Sequence, residues 1–153
     1  MSESGANLTS LEKELSDSGV FAYVTSGESM EPLFRTHRDI VVIKRAEGTL
    51  RPNDVALYRG APGKYILHRV IRVRPDCYVT RGDNTYVFEY VPKEMVIGVL
   101  SEFNRNGKRY EVTHLGYRIY SRLWRLIYPF RWGWRILWRF AARAYRFFFK
   151  RKS

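Results

Sequence analysis

Short apolar segments separated by turn residues dominate the first 115 positions of this 153-residue chain. Gly, Pro, Asn and Asp cluster between consecutive segments, as they do between strands. The dipeptide Asn106-Gly107 separates two such segments and is a strong signal for a β-hairpin. We therefore predict a mainly β body, with strands over residues 20–25, 40–44, 54–59, 64–73, 78–81, 95–103 and 109–112.

Helical periodicity is confined to the two ends of the chain. Leu8, Leu11 and Leu15 recur at spacings of three and four, which predicts a short amphipathic helix over residues 8–15 that stops at Gly19.

From residue 117 onward the pattern of basic residues is also helical. They recur every three or four positions and so fall on one helical face: Arg131, Arg135, Arg139, Arg143, Arg146 and Lys150. Pro129 separates them from an earlier, similar stripe. We therefore predict two amphipathic helices that meet near Pro129.

Charge divides the chain at the same boundary. Residues 1–115 carry 16 Lys and Arg and all 15 acidic residues, a net charge of +1, whereas residues 116–153 carry 11 Lys and Arg and no acid, a net charge of +11. Such asymmetry indicates an anionic partner for the basic end. We predict an N-terminal helix or arm over residues 1–19, a β domain over 20–115 and a basic aromatic tail over 116–153.

Cysteine usage and the N-terminus bear on location. The single cysteine, Cys77, excludes an intrachain disulfide, which fits a reducing compartment. The polar, acidic N-terminus lacks the basic start and apolar run of a signal peptide. No uncharged apolar stretch reaches 18 residues, so we expect no transmembrane helix and a site on the cytoplasmic face of a membrane.

Three short motifs contain candidate chemistry: Gly27-Glu28-Ser29-Met30-Glu31-Pro32, Leu67-His68-Arg69-Val70 and Arg81-Gly82-Asp83-Asn84. A serine hydroxyl needs a base to act as a nucleophile, and histidine suits this role because its unperturbed pKa is about 6.5. A carboxylate on the other ring nitrogen fixes the tautomer and stabilises the imidazolium. Ser29, His68 and Asp83 are thus candidates for nucleophile, base and supporting acid. Backbone N–H groups of the loop containing Gly27 and Ser29 are candidates for an oxyanion hole.

These residues also have ordinary structural interpretations. Ser29 could cap a turn, His68 could be a hydrogen-bonded strand residue, and Asp83 in Gly-Asp-Asn is a common turn residue. His37 and His114 lie in polar contexts, and we interpret them as surface residues.

The order of the motifs resembles the signal peptidase I family over residues 20–100. The likeness rests on four motifs: Gly27-x-Ser29-Met30-x-Pro32, His68-Arg69-Val70 on a strand, Gly82-Asp83-Asn84 and Val96-Ile97-Gly98-Val99. It is closest to the branch that uses histidine where other members use lysine. The resemblance implies a compact, mostly antiparallel β fold, with Ser29 as nucleophile, His68 as general base and Asp83 as supporting acid.

Two departures from that pattern matter. Glu89 stands where the histidine branch often has a second acidic residue, so the identity of the carboxylate that contacts His68 is left open. The family usually has a membrane helix before the serine and a site outside the cytoplasm, whereas this chain has no such helix. The resemblance calls for no cofactor and no metal.

The tail combines arginines with aromatic residues. All four tryptophans lie there, and 13 of its 38 residues are aromatic. A transmembrane position would bury Arg135, Arg139 and Arg143 at a cost of roughly 8 to 10 kcal/mol, against about 5 kcal/mol gained from the apolar residues. We therefore expect the tail to lie in the interface of an anionic membrane. Packing onto the body and nucleic-acid binding are the alternatives, and the amount of apolar surface disfavours nucleic acid.

These observations predict a membrane-peripheral serine endopeptidase that cleaves a signal-peptide-like or leader-peptide segment of a precursor protein by a Ser/His mechanism. The alternative is a non-catalytic membrane-binding or regulatory module that keeps the same fold. A self-cleaving repressor is a third possibility, but only 19 residues precede the β domain, too few for a helix-turn-helix.

Overall fold

The computed structural model describes residues 3–62 and 64–149, which contain three α-helices and eight strands. The helices are α1 (Glu3–Ser18), α2 (Leu115–Leu126) and α3 (Tyr128–Phe149), and a 3-10 helix covers Lys93–Met95. The strands are β1 (Val20–Val24), β2 (Ile40–Arg45), β3 (Val55–Arg59), β4 (Tyr65–Val73), β5 (Cys77–Arg81), β6 (Glu89–Pro92), β7 (Val96–Arg105) and β8 (Lys108–Glu111).

All strand pairs are antiparallel and belong to one sheet, in the order β1-β2-β7-β3-β4-β5-β6, with β8 paired to β7. The predicted mainly β body is confirmed, and the seven predicted strands agree with the observed ones to within about two residues. Asn106 and Gly107 have φ values of 52° and 76°, as a tight hairpin turn between β7 and β8 requires. Strand β6 was missed, because it has only four residues and ends at a proline.

The sheet buries apolar residues on both faces. In β3, Val55 and Leu57 belong to one core cluster, and Ala56 and Tyr58 belong to a second. This division follows from the period of two in a strand, which sends successive side chains to opposite faces. The first cluster is covered by α1 and by the loop between β1 and β2, so that loop is anchored to the core.

Helix α1 is longer than predicted and packs on the sheet. Leu11 and Leu15 are buried as predicted, and the side chain of Leu8 lies outside the described part of the chain. Glu12 also connects α1 to the sheet, because its carboxylate accepts hydrogen bonds from Arg59 at 2.7 and 2.8 Å and from Tyr65. These hydrogen bonds lower the pKa of Glu12 to about 2, and the one from Arg59 has the largest effect.

The two predicted tail helices are present. Pro129 is the second residue of α3, a position where its missing N–H is tolerated. Helix α2 does not leave the body: Ser121 is 1% exposed, and Tyr117 packs against Phe103 of β7 at 6.0 Å between ring centroids. The predicted domain boundary at residue 116 therefore lies at the start of α2, a helix that packs against the β domain. No helix in residues 3–62 or 64–149 is long and apolar enough to cross a bilayer.

Packing also changes the interpretation of the basic face. Arg131 and Arg135 were predicted to share one helical face, and both contact the body, Arg131 at Asp83 and Arg135 over the ring of Tyr86. The side chain of Arg146 and all of Lys150, which belonged to the same predicted stripe, lie outside the described residues.

Candidate active site

Ser29 lies in the loop between β1 and β2. Gly27 has a φ of +90°, a left-handed conformation that favours glycine and turns the chain sharply before Ser29. Met30 is 4% exposed and belongs to the first core cluster, and its carbonyl accepts a hydrogen bond from the Phe34 N–H at 3.2 Å. A half-buried Ser29 is thus held next to a buried anchor.

This loop is attached to the turn that follows β5. The Asn84 backbone N–H donates to the Ser29 carbonyl at 2.8 Å, and the Asn84 side-chain amide donates to the Glu28 carbonyl at 3.2 Å. A Cβ at Gly82 would lie 2.5 Å from the Ser29 carbonyl oxygen and 3.0 Å from His68 Nε2. Gly82 therefore permits a close approach between the turn, the Ser29 backbone and the histidine ring.

His68 lies in β4 and is 6% exposed. Its Nδ1 is 2.8 Å from a carboxylate oxygen of Glu89 and 3.0 Å from the Tyr58 hydroxyl. An ionised carboxylate only accepts hydrogen bonds, so the contact with Glu89 favours a proton on Nδ1 and leaves Nε2 as the hydrogen-bond acceptor. That free nitrogen is the one that lies close to Gly82 and the Ser29 backbone.

The unpredicted strand β6 positions the acid. Glu89 is its first residue and pairs with Thr80 of β5, which aligns the carboxylate with the histidine on the neighbouring strand β4. The sequence left Asp83 and Glu89 as alternative partners for His68. In the structure the partner is Glu89.

Asp83 makes a different interaction. Its carboxylate accepts two hydrogen bonds from Arg69, at 2.7 Å from Nε and 2.6 Å from Nη2, and the two side chains are 1–2% exposed. His68 and Arg69 are neighbours in β4 and so point to opposite faces of the sheet. The predicted contact between Asp83 and His68 is therefore replaced by a buried ion pair. Burial alone would lower the pKa of Arg69, but the Asp83 carboxylate outweighs this and raises it, so Arg69 stays charged.

Tyr58 is a site residue that the sequence analysis missed. Its hydroxyl donates a short hydrogen bond to Glu89 and accepts one from Thr80 at 3.4 Å. Burial and then the Glu89 carboxylate raise the pKa of Tyr58, so the phenol remains a neutral donor. The strand pattern predicts which face Tyr58 occupies, but only the pairing of Ala56 with His68 brings the hydroxyl to the ring.

Ser29 and His68 line the same cleft, which has a volume of about 280 Å³ and lies between the end of β1 and the start of β4. Within residues 3–62 and 64–149, neither the hydroxyl nor the backbone N–H of Ser29 forms a hydrogen bond. Attack would therefore require the hydroxyl to turn toward Nε2, as is common for sites without substrate. The N–H of Ser29 is therefore available as a hydrogen-bond donor, and its place in an oxyanion hole stays a prediction.

The remaining candidates behave as ordinary structural residues. Cys77 is a buried residue of β5, and His37 is exposed. His114 is exposed and caps α2, where its Nδ1 accepts from the Gly116 N–H at 3.1 Å. The part of the chain that the structure describes contains no group of three or more His, Cys, Asp or Glu side chains suited to a metal ion.

No protein-family model matches this chain, and none of the curated proteins is significantly similar to it. The interpretation of the site therefore depends on its motifs and geometry.

Proposed function

We propose that this chain is a membrane-peripheral serine endopeptidase with a signal-peptidase-like fold. Ser29 is the nucleophile, His68 the general base and Glu89 the acid that orients the base. The observation that carries the proposal is the 2.8 Å contact between Glu89 and Nδ1 of a buried histidine whose Nε2 lies beside the Ser29 loop.

The proposed reaction follows from these positions. Nε2 of His68 takes the hydroxyl proton of Ser29 while Oγ bonds to the scissile carbonyl carbon, and the resulting oxyanion accepts a hydrogen bond from the Ser29 N–H. The imidazolium, stabilised by Glu89, then gives its proton to the leaving amine. Water, activated by the same base, hydrolyses the acyl-enzyme and releases Ser29.

Tyr58 supports the base indirectly. Its hydroxyl donates to the Glu89 carboxylate that contacts Nδ1, so one carboxylate receives donors from both the phenol and the imidazole. This arrangement restricts the carboxylate to an orientation that selects the Nδ1–H tautomer. Asp83 contributes by holding Arg69 and the turn beside Ser29, a supporting function rather than the acid function first expected for it.

The cleft favours an extended peptide as substrate. β1 is an edge strand of the sheet, and Val20 and Val24 on it are 39% and 49% exposed. An exposed strand edge binds an extended peptide through main-chain hydrogen bonds. The small cleft volume beside Ser29 suits small side chains near the cut, as in a signal-peptide-like or leader-peptide segment of a precursor protein.

The tail helices provide the proposed membrane contact. Large apolar residues at spacings of three and four continue from α2 into α3, and each is 47–78% exposed. We name them the outer stripe: Leu115, Ile119, Leu123, Leu126, Phe130, Trp134, Leu137 and Trp138. Interfacial helices combine such a stripe with flanking arginines that attract anionic headgroups. The inner faces of the same helices pack on the body, so the membrane and packing hypotheses apply to different faces.

A serine-directed fluorophosphonate tests the enzymatic part of the proposal. We expect the probe to modify the full-length protein at Ser29, as located by peptide mass spectrometry, and to leave Ser29→Ala and His68→Ala unmodified. Ser26→Ala is the matched control, because Ser26 lines the same cleft but is exposed and has no place in the mechanism. An unlabelled wild-type protein, or labelling that survives in Ser29→Ala, would favour the non-catalytic module instead.

A further inference from the structure

A single peptide group joins the tail to the loop that contains Ser29. The carbonyl of the Asp83–Asn84 peptide accepts two side-chain hydrogen bonds, from Trp124 Nε1 at 3.0 Å and from Arg131 Nη1 at 3.1 Å. The N–H of the same peptide donates to the Ser29 carbonyl at 2.8 Å. Both ends of this peptide plane are therefore fixed, one by α2 and α3 and the other by the nucleophile loop.

The two donors also support each other. The Arg131 guanidinium lies 4.1 Å from the centroid of the Trp124 ring, a favourable cation–π distance. Trp124 stacks on Tyr120 at 5.8 Å between ring centroids, which fixes the indole in turn. Both side chains are partly buried and reach Asp83, which is 3% exposed, so water does not readily replace them at its carbonyl.

We propose that Trp124 and Arg131 are positioning residues for Ser29. Donors on a peptide carbonyl polarise the group and strengthen the hydrogen bond made by its N–H. Loss of either donor weakens the attachment of the Ser29 carbonyl and lets the loop move relative to His68 Nε2. This inference rests on the proposed function, since it assigns the two residues to the same reaction.

The test combines fluorophosphonate kinetics with amide exchange, both on the full-length chain. Trp124→Phe keeps an aromatic ring and removes the indole N–H, and Trp132→Phe is the matched control, because Trp132 is exposed and lies outside the outer stripe. Arg131→Gln removes the guanidinium, Arg131→Lys retains a charged donor, and the exposed Arg122→Gln is the control. Amide exchange by NMR at Asn84 reports on the hydrogen bond to Ser29 without any reaction.

In Trp124→Phe we expect the labelling rate at saturating probe to fall by at least about tenfold, because small displacements at a reacting centre have large effects on rate. The probe concentration for half-maximal rate should stay unchanged and the thermal midpoint should fall by no more than a few degrees, whereas the Asn84 amide should exchange faster. Arg131→Gln should behave in the same way, and Arg131→Lys should recover part of the rate. Both controls should match the wild type.

Each other outcome overturns the proposal. An unchanged saturating rate in Trp124→Phe and Arg131→Gln removes the positioning role. So does an unchanged Asn84 exchange rate, since the hydrogen bond then does not depend on the tail. If the probe does not label the wild type, the peptidase proposal and the positioning role are both wrong. If Asn84 nevertheless exchanges faster in Trp124→Phe and Arg131→Gln, the link from the tail to the Ser29 loop is correct and only the proposed chemistry has failed.

Discussion

The two carboxylates near the site give a sharp prediction, because the structure assigns them to different tasks. We compare Glu89→Gln with Asp83→Asn, two substitutions that each convert a carboxylate to an amide of the same shape. Glu89 contacts the base and its side chain is 37% exposed, whereas Asp83 is 2% exposed and paired with Arg69. One variant is therefore expected to lose chemistry, and the other to lose stability.

For Asp83→Asn the expected loss is in the fold. Removing one partner of a buried ion pair leaves an uncompensated charge and costs about 3–5 kcal/mol. For a chain of this size, each kcal/mol lowers the thermal midpoint by about 2–4 °C, so we expect a decrease of roughly 6 to 20 °C. The Arg69 charge would remain, since its hydrogen bonds to Ser121 and to the Asn53 carbonyl, both at 3.0 Å, hold it in place.

For Glu89→Gln the expected loss is in rate. The amide removes the negative charge that stabilises the imidazolium, and the same kind of change in a serine triad lowers the rate by about 10⁴-fold. The thermal midpoint should fall less than in Asp83→Asn, because the glutamine carbonyl can still accept hydrogen bonds from Tyr58 and from Nδ1 of His68.

The assay measures fluorophosphonate labelling at a temperature where both variants are folded, together with thermal unfolding. Exposed Glu94→Gln and Asp17→Asn serve as controls for the charge change. The assignment is refuted if Asp83→Asn keeps the wild-type midpoint but does not react, while Glu89→Gln reacts normally.

Two further predictions follow from other parts of the structure. Leu123→Ser combined with Trp134→Ser should reduce sedimentation with phosphatidylglycerol-rich vesicles at an unchanged thermal midpoint, since both residues are more than half exposed; undiminished binding would exclude the outer stripe. Glu12→Gln should lower stability at pH 7 by about 0.5–1 kcal/mol, a value discounted because Glu12 and Arg59 are 34% and 50% exposed. The pKa of Glu12 is lowered to about 2, so its contribution to the free energy of unfolding is present above pH 4.5 and is lost as the pH falls toward 2. A stability difference between Glu12→Gln and wild type that is as large at pH 2 as at pH 7 would contradict this.

Local signals were enough to predict most of the fold. Short apolar segments and turn residues predicted seven strands, because most of these strands have a glycine, proline or asparagine close to one end. β6 was missed because four residues give too short a window to show a period, and its pairing with β5 is set by the sheet rather than by propensity. The tail helices were predicted, but their attachment to the body depends on Ser121 and Trp124, which periodicity alone does not distinguish from solvent-facing residues.

The candidate site was predicted in part. The glycine and proline around Ser29 indicate a sharp turn, and this local signal predicted the loop. The partner of His68 depends on strand pairing, and β6 was the strand that the sequence did not reveal. Tyr58 was missed for the same reason, since its hydroxyl reaches the site only through the register of β3 against β4.

The dipeptide His68-Arg69 shows why a strand is a suitable support for this arrangement. Successive side chains point to opposite faces, so His68 meets Tyr58 and Glu89 on one face while Arg69 meets Asp83 on the other. A slip of one residue in β4 would, depending on its direction, place either a guanidinium at Glu89 or an imidazole at Asp83. The buried neighbours Leu67 and Val70 oppose that slip, because it would also turn their apolar side chains to the wrong core. Core packing away from the cleft therefore determines which carboxylate contacts His68.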